Sequence, residues 1–226
     1  VPDVTSRRSA SRRGLLGAFV AAAALVYLGA IRAPTGPRSL RVFEPDRMAE
    51  LELRMWQAYY RKENVRLFAL LVTMLHEQNR YPWAKAFRAG YHLAHAAATF
   101  GDARADYDRV LPDLERAYVI ARGWNRAGFD PRAVAKAELA WWIARRRPGE
   151  DSAANVGGLI ADEYALLYEV PRERVVQAAL LRAEAAALRD RGGAATDWPT
   201  VSRLLRESYR LLRAGVAEVP ARPIAR

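Results

Sequence analysis

Prolines stand at Pro45, Pro82, Pro112, Pro131, Pro171 and Pro199, and between them apolar residues return every three or four places. Proline has no N–H to donate and suits the first turn of a helix, while that spacing lines apolar side chains along one helical face. Alternation of apolar and polar residues never lasts more than a few positions, so strands are not expected. The pattern predicts an all-α fold with an antiparallel bundle of about seven helices. Met48, Leu51, Met55, Tyr59, Leu67, Leu70, Leu71, Met74 and Leu75 form one stripe from Pro45 to Pro82, with room for a break near Asn64. Further helices are expected over residues 82–100, 104–126 (with Pro112 as kink or true start), 131–147, 153–168, 171–192 and 198–215. Asp130-Pro131 reads as an N-cap and first-turn pair. The segments at Pro131 and Pro171 lie forty residues apart but agree only at Arg132 and Arg172, so a compact bundle is expected over a repeat array.

Residues 14–31 carry no charge, and no later apolar run matches them. A bilayer core takes roughly 20 apolar residues of helix, so this segment predicts one N-terminal transmembrane helix. Four arginines precede it: Arg7, Arg8, Arg12 and Arg13. The stretch Ser11-Arg12-Arg13-Gly14-Leu15-Leu16 resembles the twin-arginine export signal, with Leu15 where that family prefers Phe. No convincing small-x-small cleavage site follows, so the reading is an uncleaved signal anchor with the remaining chain outside the cytoplasm. The organisation expected is a basic flank (1–13), the anchor (14–31), a linker with Pro34, Gly36 and Pro37 (32–44), a helical domain (45–215) and a tail (216–226).

Of the 226 residues, 36 are Lys or Arg and 25 are Asp or Glu. Seven of the basic residues fall within 1–41, leaving 29 against 24 for residues 42–226, a modest excess that does not suggest a nucleic-acid partner. The absence of cysteine excludes disulfides and thiolate chemistry. Gly157-Gly158 is not followed by a Lys-Ser/Thr pair, and no serine is framed as a nucleophile elbow, so no nucleotide or other cofactor is expected.

Four carboxylates fall on or beside apolar stripes: Glu52, Glu138, Glu163 and Glu184. A buried carboxylate is costly unless paired, and Arg54, Arg145 and Arg182 are near enough in sequence pattern to serve. Four inward Glu also form half of a ferritin-like dimetal site, but the His three residues later is missing, with Met55, Trp141, Leu166 and Ala187 in those places. His92 and His95 project from adjacent turns and could share a metal, a third ligand having to come from His76 or Glu77 across the turn at Tyr81-Pro82. Trp141 and Trp142 point about 100° apart, so only one can face a given core.

The stretch Tyr164-Ala165-Leu166-Leu167-Tyr168-Glu169-Val170-Pro171-Arg172-Glu173-Arg174-Val175 resembles the turn region of bacterial helix-turn-helix regulators, with Glu169 where that family carries Gly. The resemblance implies that Arg172, Arg174 and Gln177 face the major groove or its phosphates. Taken together, the residues favour a membrane-anchored helical protein that works by interaction, as an accessory or structural component of a cell-envelope complex. Its expected partners are the lipid bilayer and another envelope protein. A carboxylate/histidine metal protein or enzyme, and a tethered nucleic-acid regulator, are the alternatives.

Overall fold

The computed structural model describes residues 27–217, apart from Arg104. Among them there is no strand. Residues 27–31 are helical, and eight α-helices follow: α1 (Pro45–Tyr60), α2 (Asn64–Gln78), α3 (Trp83–Asp102), α4 (Leu111–Asn125), α5 (Pro131–Ala144), α6 (Ala153–Tyr168), α7 (Val176–Gly192) and α8 (Trp198–Val216). Short 3-10 turns precede α4, α7 and α8. Among the described residues no helix is long and apolar enough to cross a membrane. The expected anchor lies outside the described residues except for its last five, as do the basic flank and residues 218–226.

Every helix packs on its two neighbours in the chain, and α8 returns to pack on α1. The result is a closed ring of eight helices, one more than expected, because the stripe from Pro45 divides. Lys62 takes a left-handed conformation (φ 58°), the Glu63 N–H bonds the Ala58 carbonyl and the Lys62 N–H bonds that of Tyr59. These two bonds satisfy carbonyls that a helix end leaves open, so α1 stops there although its apolar spacing continues. Arg126 and Glu169 end α4 and α6 in the same left-handed way.

Capping follows the sequence at α5, α6 and α8, where Asp130, Ser152 and Asp197 accept from N–H groups of the first turn. Pro112 marks a true helix start rather than a kink. Gly215, where the sequence reading has the last helix fade, is one residue from the end of α8 at Val216. A Cβ there would stand 2.2 Å from the Arg174 carbonyl oxygen, so glycine permits the close approach of α8 to the turn before α7. Gly157 serves α6 similarly, since its Cβ would lie 3.0 Å from the Leu180 Cα.

Apolar burial runs around the ring in seams. The largest cluster joins α5–α8 to α1 through Trp141, Ile160, Val175, Leu205 and Leu212, and smaller ones fill the α1–α2, α2–α4 and α3–α5 contacts. The segment 32–44 is laid on this body. Arg41 donates to the carbonyls of Tyr168 and Glu169, and Phe43 is buried edge-on against Tyr209.

A non-glycine residue held left-handed costs about 1–2 kcal/mol, of which glycine's greater unfolded freedom returns roughly half. Lys62→Gly, at an exposed position with no side-chain partner, should therefore raise unfolding free energy by about 0.5–1 kcal/mol in urea titrations. A loss of stability would show that the α1–α2 break is not set by this turn.

Candidate functional site

Three of the four carboxylates singled out from sequence meet inside the ring. Glu52 of α1 is buried and takes a forked contact from Arg182 of α7, with Nη2 at 2.6 Å from Oε1. The Tyr209 hydroxyl of α8 donates to the other Glu52 oxygen at 2.6 Å. Burial works against the charge on Arg182, and Glu52, by its charge and its hydrogen bond, more than offsets it, so the guanidinium is held more basic than usual.

Beside this pair, the Tyr118 hydroxyl of α4 lies 2.8 Å from Glu138 Oε2 of α5 and 3.2 Å from Glu163 Oε1 of α6. Tyr118 keeps its proton, because burial and the two carboxyl groups raise its pKa well above the ordinary value. One phenolic proton cannot serve two contacts, so the row needs a second. Glu138 supplies it: burial, then the charge of Glu163, push its pKa up to about 8. Burial raises the Glu163 carboxyl as well, but the charge of Arg182 and the donors Trp141 and Tyr118 work against it, so Glu163 is the accepting end. The protons thus run from Glu138 O–H to the Tyr118 oxygen and from the Tyr118 O–H to Glu163.

Glu184 does not join them. It is exposed, and this corrects the expectation that it lies on a buried stripe. Helix α7 buries Ala178, Ala179, Ala183, Ala185 and Ala186 rather than its leucines, because α6 and α8 both crowd it and only small side chains fit. Of the arginines weighed as partners, Arg182 takes the role for Glu52, whereas Arg54 bonds Glu50 and Arg145 bonds Asp190.

The network floors a chamber of about 420 Å³ that reaches α1, α3, α5 and α7. Trp56, Tyr59, Phe100, Trp141 and Trp142 wall it, and Glu52, Glu138, Arg145, Arg146 and Arg182 supply its polar groups. Trp141 turns inward while Trp142 packs on Phe100 of α3, at 5.2 Å between ring centroids. Ala97 and Gly101 of α3 connect the chamber to an apolar groove of about 570 Å³ between α2 and α3. On the opposite side a smaller cavity of about 200 Å³ lies under Leu40 and Phe43, and Glu138 lines that one too. The accessible surface left to Glu138 is therefore cavity surface.

His92 and His95 do come together, on Asp113 of α4. Their Nδ1 atoms lie 2.8 and 2.7 Å from its two oxygens. Burial opposes the charge on Asp113, but the two imidazoles bonded to it hold its pKa below the usual value. His76 stacks on Trp83 and Glu77 bonds Arg47, so neither reaches this pair. Among the described residues no group of three or more His, Asp or Glu has metal-holding geometry.

After α6, Glu169 is left-handed at the place where the helix-turn-helix family carries Gly, and a 3-10 turn (Arg172–Arg174) stands between it and α7. The Glu169 Oε2 accepts the Gly128 N–H, which helps hold the residue there. Arg172 is engaged by Asp162 and the Gly158 carbonyl, and Arg174 by the Ala217 carbonyl. Of the three residues proposed from that resemblance, only Gln177 is exposed without an in-chain side-chain bond.

Sequence reasoning missed Asp113, Tyr118 and Tyr209. Asp113 follows Pro112 in a first turn, where acids are ordinary. The tyrosines sit among apolar residues and look like core, and nothing local marks the carboxylate each will meet. Compared with protein-family models, with curated proteins and with solved structures, the chain matches none of them.

Removing one partner of a buried pair strands the other charge, at about 3–5 kcal/mol. Arg182→Met should cost that much in chemical denaturation, and Glu52→Gln in the same chain should restore most of it. Equal losses in the single and double variants would show that the pair is not the reason. Glu138 provides a second test through its proton. The folded chain binds that proton more tightly than the unfolded chain, whose carboxyl has the ordinary value near 4.5. The stabilisation is complete below about pH 4.5 and is lost as pH rises to about 8. Glu138→Gln, which keeps the hydrogen bond without the ionisation, should be more stable than the native chain at pH 8 by at least about 1 kcal/mol, the worth of one pKa unit. The gap should narrow as pH falls and close below about pH 4.5; a gap independent of pH would refute the assignment.

Proposed function

We propose that this chain is a membrane-tethered binding protein, in which residues 14–31 form a signal anchor and the helical ring receives a small amphipathic anion. Its place is at the cell envelope, outside the cytoplasm, as an accessory component that presents or senses its ligand beside a partner protein. The anchor rests on the uncharged run and its arginine flank. The observation that carries the binding role is the chamber lined by Glu52, Arg182 and Glu138, whose buried contacts hold them in place.

Those polar groups already satisfy one another, so the cavity keeps its shape without a ligand, and rigidity of this kind lowers the cost of binding. Five aromatic side chains on its walls suit a flat apolar body. The lining holds three arginines, Glu52 paired with one of them and, near neutral pH, a protonated Glu138. That balance favours an anionic group at the polar end. Glu163, the accepting end of the proton row, lies behind Trp141 and is not among the residues lining the chamber. The geometry therefore supports recognition more than turnover.

Anilinonaphthalene sulfonate, a flat aromatic anion, is a suitable probe. The full chain in detergent should bind it at one site with a rise in fluorescence. Ala97→Trp, which fills the passage from a position exposed to the cavity, should abolish that site while leaving the melting temperature unchanged. Retention of the site in this variant would overturn the proposal.

A further inference from the structure

Eight large hydrophobic residues beyond residue 31 are exposed among the described residues, and six of them fall between Tyr59 and Tyr91. Trp83, Phe87 and Tyr91 follow one another at four-residue spacing, so they form a single stripe along α3, exposed by 44%, 58% and 53%. Val65, at the start of α2, is 87% exposed. Phe87 packs edge-on against Phe68 and Trp83 stacks on His76, which joins the two helices into one aromatic face.

Positive charge is concentrated in the same stretch of sequence. Residues 61–95 hold six basic residues (Arg61, Lys62, Arg66, Arg80, Lys85 and Arg88) against two acidic ones. Both acids are already engaged, Glu63 by Arg66 and Glu77 by Arg47. The remainder of 42–226 has 23 basic and 22 acidic residues, so nearly all of its excess charge belongs to this segment.

The chain also delivers this face to a particular place. Arg80, in the turn between α2 and α3, donates to the Thr35 carbonyl at 3.0 Å. Thr35 is four residues from Ile31, the end of the uncharged run, and four residues reach at most about 14 Å. An anchor over 14–31 thus leaves the bilayer within about 14 Å of the residue that holds the α2–α3 turn, and the aromatic stripe starts three positions later at Trp83.

We propose that the α2–α3 face is seated on the lipid surface, with Trp83, Phe87, Tyr91 and Val65 in the headgroup region and the surrounding arginines and lysines on anionic headgroups. It rests on the anchor reading above and goes beyond it by fixing which side of the ring meets the bilayer. Tryptophan and tyrosine, with an apolar body and a polar edge, favour that layer, and basic side chains beside them gain from anionic lipid.

The absence of cysteine makes a clean experiment possible. Full-length Phe87→Cys, Tyr91→Cys and, as a control on α6, Leu166→Cys would carry a polarity-sensitive fluorophore. The proteins would be reconstituted in vesicles of phosphatidylethanolamine and phosphatidylglycerol. Labels at positions 87 and 91 should shift to the blue and be quenched several-fold more strongly than the label at 166 by lipids brominated along the acyl chain. Equal water exposure at all three positions, in vesicles that keep the chain through an alkaline carbonate wash, overturns the seating while leaving the anchor intact. Release of the intact chain by that wash removes the anchor, and this proposal with it. Protection that appears only at high protein-to-lipid ratio assigns the face to a second copy of the chain and likewise overturns it.

Discussion

The buried contact between Glu52 and Arg182 is where the ring is held shut. Residues 130 apart in the chain, on α1 and α7, meet there, and Tyr209 brings in α8 through the same carboxylate. A ring of helices has a seam where its first and last members meet, and apolar side chains alone would let that seam slide. Two opposed charges in direct contact, with a hydroxyl on the carboxylate's other oxygen, tolerate one register, because any displacement leaves a charge unpaired away from water.

The second buried cluster stands in a different relation to the cavity. Glu163 is acceptor to Tyr118 and Trp141, while Glu138 keeps a proton and remains open to the chambers on both sides. The two carboxyls differ because Glu163 has donors on both oxygens, and Glu138 must donate to complete the row. The same arrangement keeps the negative charge at the chamber low beside three arginines. The floor that locks the helices together therefore also sets the electrostatic character of the space above it.

Much of the helical plan was legible in the chain. Asp130-Pro131 and Asp197-Trp198-Pro199 announced α5 and α8, because capping is a local transaction between a side chain and the next few N–H groups. The break at Lys62 was only hinted at near Asn64, and Gly215 marked the end of α8 without showing that it is also a contact. Both depend on something outside the local stretch, an unfavourable left-handed residue in one case and the Arg174 carbonyl in the other. Of the site, Glu52, Glu138 and Glu163 were visible as carboxylates out of place on apolar faces. Glu184 had the same local appearance and points to solvent, since the crowding of α7 by two neighbours gives its buried face to alanine.

The sequence by itself determined that the chain is helical, where most helices start, which carboxylates were candidates for burial and that an uncharged segment precedes the domain. Periodicity, capping and hydropathy are properties of short stretches, so they can be read without knowing the fold. Only the tertiary structure decided that the helices close into a ring, that Arg182 and Tyr209 answer Glu52, that Asp113 draws His92 and His95 together, and that the exposed aromatics share one face. Each of these joins residues from different helices, and the distance between helices is set by packing around the whole circle, which no local stretch encodes.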